Sequence, residues 1–570
     1  MFSGLPQSAQ EFTDWTWSQI EPYYLDLADR PLNAATAGAW LQDWTHLSQL
    51  VSETHERLMV ATTVDTTDQD AERRYGDFLE EIQPSSQAVE QKLKEKLLAS
   101  GLEPEGLEVP MRNMRSEAEL FREANLPLLS EELKLITEYD KITGAQTVIW
   151  EGEEITIIQL QPVEQSVERS LRERAWMVMA ARQLADREAI NTLWVRFLEM
   201  RLQLAANAGM PDYRSYRWQQ LLRFDYTPQD SKRFQGAIEQ VVVPAAGRIY
   251  EKRRQRLGVD VLRPWDLKVD PWGRLPLRPY KTITELEERT STIFRRMDPQ
   301  LGEYFEIMRR ESLLDLDNRV GKAQGGYCIE YPVAKRPFIF TNAVGLHDDV
   351  ITLLHEGGHA FHVFESNHLP YHQQHYVPIE FAEVASNGME LLATPYLSTD
   401  EGGFYTQVDA ARAVVELLET DLLFWPYMAV VDAFQHWVYE NPNAALEPSN
   451  CDEQWAELWG RFMPGVDWSG LEQEMVTGWQ RKGHIHQDPF YYIEYGLALL
   501  GAVQVWRNAQ SDQAATVAAY RKALSLGGTA PLPQLFAAAG ADFAFDPGTL
   551  SHAVELMEET ITTLESVQGL

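Results

Sequence analysis

LLHEGGHAFH, Leu353 to His362, sets three histidines and a glutamate in ten residues. Within it, His355-Glu356-Gly357-Gly358-His359 has the form H-E-x-x-H. On an α-helix, residues four apart share a face, so both imidazoles reach one cation. Zinc suits them, because it takes neutral imidazole at about 2.0–2.1 Å and keeps one position open to water in catalytic sites. Glu356 lies one residue round the helix, beside the ligand pair, where a carboxylate can take a proton from that water. Leu353, Leu354, Ala360, Phe361, Val363 and Phe364 supply the apolar surface of a buried helix, and Asp348 or Asp349 is placed to cap its start. Gly357 and Gly358 together cost the helix about 1–2 kcal/mol relative to Ala, a cost that close approach of a backbone or a substrate would justify.

His362 shares the face of His355 and His359, but seven residues of helix rise about 10.5 Å, too far for one ion to span with bonds of about 2 Å. The class of site that recruits a third histidine reads H-E-x-x-H-x-x-G-x-x-H. Here the glycine position is His362 and the last histidine position is Glu365. His362 is therefore expected outside the ligand set. Downstream, Pro378 opens a second predicted helix, IEFAEVASNGMELLAT, on which Glu380, Glu383, Asn387 and Glu390 form one polar stripe. A carboxylate from a second helix is a common way to complete a His₂Glu site. Local reasoning leaves Glu380 and Glu383 as rivals for that place, the other being free to orient a histidine or face water.

The chain has 570 residues, enough for several lobes, and 44% of them are hydrophobic, including 17 Trp. Its net charge of −35 argues against nucleic acid or anionic membrane as partners. Cys328 and Cys451 are too few for a disulfide scaffold. The opening MFSGLPQSAQEFTDW lacks a basic start and an apolar stretch, and no uncharged apolar run reaches the roughly 18 residues a membrane span needs. The expectation is a soluble cytoplasmic protein, monomeric or homodimeric.

The fold is expected to be mainly α. The first hundred residues carry apolar positions at helical spacing, as in WLQDWTHLSQLVSETHERL. A small hairpin is predicted at Thr147 to Leu160, then a long helical stretch from Val163 to Ala208, closed by Gly209 and Pro211. That stop suggests an N-terminal helical lobe, 1–208, and a second domain, 209–570. A further β patch, Gly321 to Asn342, runs into the histidine helix. In it Gly325, Gly326 and Tyr327 are candidates for an extended edge that pairs with a peptide backbone. Near the C-terminal side, GHIHQDPFYYIEYGLALLGAVQVW concentrates His484, His486, Tyr491, Tyr492 and Tyr495 ahead of an apolar helix. Tyr O–H and His N–H donors can bind the negative charge that builds on a carbonyl oxygen during amide hydrolysis.

HEGGHAFH followed by FAEVASNGME resembles the thimet oligopeptidase/oligoendopeptidase F family of zinc metallopeptidases, whose pattern is HExGHxxH and then F-x-E-x-x-S-x-x-x-E. GKAQGGYC and PFIFTNAVGLHDDVITLL resemble that family's run into the zinc helix. The likeness extends from about Val163 to the C-terminus and is nearest to the bacterial oligoendopeptidases. It implies one Zn²⁺ per chain on His355, His359 and Glu383, with Glu356 as general base. It implies oxyanion donors at His484 and Tyr495, with His486, Tyr491 and Tyr492 as further substrate contacts. It also implies two helical lobes enclosing a deep channel, with the β element beside the zinc helix, and an endopeptidase of short oligopeptides. The rivals are a related zinc carboxypeptidase, or a peptide-binding protein without activity.

Overall fold

The structure, a computed structural model, describes Phe2, residues 4–319 and residues 321–567. Helices dominate, and the strands form two small sheets. The chain divides into two compact units, each assembled from three segments: Met1–Glu119, Arg278–Ala413 and Ala498–Phe543 in the first, Leu120–Leu277, Val414–Leu497 and Ala544–Leu570 in the second. These units do not follow the expected boundary near residue 208. No helix among the described residues is long and apolar enough to cross a membrane.

In the first unit, helix Ala37–Val64 buries Trp40, Trp44, Leu47 and Leu50 against the neighbouring N-terminal helices. Strands β3 (Leu314–Asp317), β4 (Tyr327–Tyr331) and β5 (Arg336–Ala343) form a sheet in the order β3-β5-β4. β4 pairs antiparallel to β5, with Tyr327 opposite Phe340, and β3 pairs parallel to β5. The expected β patch thus contains β4 and β5, while β3 was not foreseen: its LDLD is short and its partner lies more than twenty residues away. Along β4, successive side chains point to opposite faces of the sheet. Tyr327, Ile329 and Tyr331 pack with Met59, Val60 and Val64 of helix Ala37–Val64.

The second unit holds the hairpin β1 (Thr147–Trp150) and β2 (Glu153–Thr156). The expected hairpin overshoots, because Ile157–Leu160 is a helical turn capped by Thr156. The long helical stretch is two helices, Arg169–Leu184 and Arg187–Ala208, and the second ends at Gly209 in the left-handed region, φ 74°. Glycine enters that region without a Cβ penalty, which is why the helix stops there.

Candidate metal centre

The histidine helix runs His347–Ser366, and the carboxylate helix that follows it runs Ile379–Leu392. Asp349 caps the first of these, accepting from the backbone N–H groups of Val344 (2.9 Å) and Leu346 (2.7 Å), with Tyr280 O–H donating to the same oxygen. An acidic side chain in the first turn satisfies N–H groups that the helix leaves open and complements its dipole.

The two glycines of HEGGH let other elements come close. A Cβ on Gly358 would stand 2.5 Å from the carbonyl oxygen of Ala385 and 2.7 Å from Ser386 Cα, both backbone atoms of the carboxylate helix. A Cβ on Gly357 would stand 2.7 Å from Phe294 Cζ, and that ring packs edge-on against Phe305 and Phe361. The helical cost of the glycines is thus offset by a backbone-to-backbone crossing that no larger residue permits.

This crossing brings His355, His359 and Glu383 together, with one donor atom from each within 4.8 Å of the others. His355 Nε2 lies 3.4 Å and His359 Nε2 3.9 Å from Glu383 Oε2. Donors at about 2.0–2.2 Å from a tetrahedral zinc stand roughly 3.3–3.6 Å apart; the 3.4 Å pair lies in that range, the 3.9 Å pair is slightly wider, and the donor chemistry fits that ion. Glu380 is buried but is not in the group. Of the two rivals left by local reasoning, geometry brings Glu383 to the imidazoles.

Each member of the group is itself held. Glu390 Oε1 lies 2.6 Å from His355 Nδ1, leaving Nε2 for the centre, and Ser386 O–H donates to Glu383 Oε2 at 2.8 Å. Glu390 follows Glu383 by seven residues, two helical turns on, so one face of one helix supplies both carboxylates. That role for Glu390 went unassigned in the sequence, although it stood in the polar stripe. Burial opposes charge on His355, yet Glu383 and Glu390 outweigh it and raise its pKa well above the usual imidazole value. Burial favours the neutral form of Glu383 too, but hydrogen bonding and charge from the two histidines pull its pKa down to about 2. Burial lowers His359 to about 4. Glu356 is buried as well, and burial, helped by Glu383 and Glu390, pushes its carboxyl up to about 7.

His362 is outside the group. Its ring packs edge-on against Phe381, its Nε2 is buried without a hydrogen-bond partner, and burial lowers its pKa to about 3. Beside Glu356 lies the edge strand: a Cβ on Gly326 would stand 3.8 Å from Glu356 Oε1. Gly325 and Gly326 are exposed, and Asn342 Nδ2 donates to the Gly325 carbonyl at 2.9 Å. Tyr327, expected as part of an edge that pairs through its backbone, opens β4. Its ring stacks on Phe340 at 4.7 Å and its hydroxyl meets Thr63 Oγ1 at 2.6 Å, so its side chain serves the sheet. The Cys328 thiol is kept protonated by burial and by the charge of Glu356, which disarms it as a nucleophile.

In the second unit, His484 packs on Tyr491, Tyr492 and Tyr495, with ring centroids at 5.7, 5.1 and 6.1 Å. Burial lowers the His484 pKa to about 4, which keeps the ring neutral. The tyrosines follow Phe490, whose φ is 67°. A bulky residue pays about 1–2 kcal/mol there, and its surroundings over-determine it. Phe490 N–H donates to Gln435 Oε1, its carbonyl accepts from Arg223 Nη2, and that same guanidinium nitrogen pairs with Glu494 at 2.6 Å. His486 is a correction. It is fully buried, stacked on Tyr139 at 4.6 Å and packed against Trp194 and Trp479, so it is a core residue and no substrate contact. Its polar ring in an aromatic stretch resembled a site residue because periodicity does not distinguish a buried histidine from an exposed one.

A family model, Peptidase family M3, matches residues 163–555. Oligoendopeptidase F, chromosomal, of Lactococcus lactis subsp. cremoris is 29% identical over 202 residues, which is 34% of this chain. That match spans 32% of the relative's own length. A solved structure of PZ peptidase A with an inhibitor superposes with a TM-score of 0.87 at 28% identity, covering 96% of this chain and 98% of that one. A solved oligoendopeptidase F gives 0.86 at 28% identity, with 96% of each chain covered.

Proposed function

The chain belongs to peptidase family M3, and from that premise we propose that it is a zinc-dependent metalloendopeptidase that cuts internal bonds of short oligopeptides. The observation that carries this reading is the convergence of His355, His359 and Glu383, with Glu356 next to His355 on the same helix. His355 and His359, through Nε2, and Glu383, through Oε2, would hold one Zn²⁺ per chain. When bound, the ion supplies Lewis acidity to the scissile carbonyl and to the attacking water.

The remaining steps belong to side chains. Glu356 accepts a proton from the attacking water and later delivers it to the leaving amine. A carboxylate beside the ligand pair is placed for both transfers. Gly325 and Gly326 on the exposed edge beside Glu356 offer backbone groups to an extended peptide, a pairing that fixes the bond to be cut. Tyr495 and His484 donate hydrogen bonds to the developing oxyanion, with Tyr491 and Tyr492 as neighbouring contacts. A neutral His484 retains one N–H donor for that task.

The test is digestion of oligopeptides blocked at both ends, read by mass spectrometry with and without a chelator, alongside metal analysis of the purified chain. Internal cleavage that is lost with the chelator and restored by Zn²⁺ is the expected result. Cleavage confined to the last residue of unblocked peptides would favour a carboxypeptidase. Undiminished cleavage in a metal-free chain would overturn the reading.

A further inference from the structure

Lys482 stands at the start of the short helix Gly483–His486. Its Nζ lies 4.2 Å from the centre of the Tyr492 ring and 5.6 Å from that of Tyr427, and these two rings meet edge-on at 5.9 Å. Among the described residues the ammonium has no hydrogen bond and no carboxylate partner, and burial alone pulls its pKa down to about 8. The hydroxyls of Tyr427 and Tyr492 and the ring nitrogens of His484 likewise make no hydrogen bond to a described residue. Among the described residues, Asp488 is the carboxylate whose field reaches His484, and its side chain is largely exposed, 3.9 Å from Arg217.

Three donors, the Lys482 ammonium and the Tyr427 and Tyr492 hydroxyls, thus gather in one aromatic cluster, and among the described residues no carboxylate hydrogen-bonds to any of them. In a chain with 85 acidic and 50 basic residues, a half-buried lysine without an acidic neighbour is unusual. A cation–π contact compensates an ammonium only in part for lost water and leaves its three N–H donors unused. The net charge of −35 also repels carboxylates at long range, so an anionic group needs a local cation to be held.

Resting on the peptidase reading above, we infer that Lys482, framed by Tyr427 and Tyr492, binds a carboxylate of the peptide substrate and makes the enzyme favour peptides that carry one there. The shared chemistry has two sources, the free C-terminus and an acidic side chain.

Four peptides of one parent sequence separate them: C-terminal acid, C-terminal amide, and amide forms with an internal Glu or Gln. Rates are measured on wild type and on Lys482→Met, which keeps the apolar stem. Binding without turnover is measured by calorimetry on the zinc-loaded Glu356→Gln chain, with and without Lys482→Met. In wild type the acid form is expected to be preferred over the amide by roughly ten- to a hundredfold, carried by KM. Lys482→Met should bring that ratio near one and leave the amide peptide unchanged. If the Glu/Gln pair carries the preference instead, the inference stands with the side chain as source. Equal losses on all four peptides, no preference in either pair, or a preference that survives Lys482→Met would each overturn it. No cleavage by wild type with the binding preference intact would reject the peptidase reading and keep the carboxylate site.

Discussion

His355 Nδ1 and Glu390 Oε1 are 2.6 Å apart, so the imidazole that opens HEGGH is gripped from behind by the helix that carries Glu383 in front of it. A carboxylate on the far nitrogen fixes the tautomer and makes the ligating nitrogen more basic. Glu390→Ala is expected to weaken zinc binding by about ten- to a hundredfold, measured by competition with a chromophoric chelator. Unchanged affinity would show that Glu390 does not orient a ligand.

Gly358 should be intolerant of a methyl group. Its Cβ would overlap the Ala385 carbonyl and Ser386 Cα, backbone atoms that cannot swing aside. Gly358→Ala is expected to destabilise by about 1–3 kcal/mol or more and to weaken metal binding as the helices part. Gly388 is the control: a Cβ there meets the Tyr520 ring at an ordinary 3.5 Å, so Gly388→Ala should be neutral or mildly stabilising. Denaturant midpoints of the two variants decide, and equal values would refute the close crossing.

Glu356→Gln keeps the shape of the side chain and removes its proton acceptor. It is expected to retain zinc and to lose activity by at least about 10²–10⁴-fold in kcat. Near-wild-type turnover at full metal content would sink the proposed base.

Tyr495→Phe tests the oxyanion contact. Loss of one such donor costs about 2.7–4 kcal/mol, which should appear as a fall in kcat of roughly 10²–10³ with KM little changed. A change in KM alone would mark Tyr495 as a binding residue.

His486 predicts a pH dependence of stability. Burial holds its folded pKa at about 3, below the usual imidazole value near 6.5. The unfolded chain therefore binds the proton first, and stability present above about pH 6.5 is lost as pH falls toward 3. Between pH 7 and 5 this one group costs about 2 kcal/mol. His486→Phe should flatten the decline in denaturant stability over that range by a similar amount, and an unaltered slope would contradict the assignment.

The residues that spoke most clearly in the sequence are those whose meaning is local. The pairing of His355 with His359 follows from helical spacing, and the exclusion of His362 follows from helical rise. The hairpin and the strands β4 and β5 were legible from β-rich stretches bounded by turns. By contrast, β3 was hidden because its strand partner, β5, is distant in sequence. The boundary near residue 208 marked a true helix stop, at Gly209, but compact units are defined by contacts between distant segments. His486 was misplaced for the same reason: composition reveals a polar or aromatic group and is silent on what covers it.

The sequence by itself determined the helical class and the placing of two histidines with a glutamate beside them, since each depends on residues within one or two turns. The tertiary structure decided the rest of the centre. It brought Glu383 rather than Glu380 to the imidazoles, gave Glu390 its hold on His355, and explained Gly357 and Gly358 by the bodies that press on them. Those outcomes depend on the angle and depth at which two helices cross. Packing over the whole unit sets that crossing, and neither helix encodes it alone.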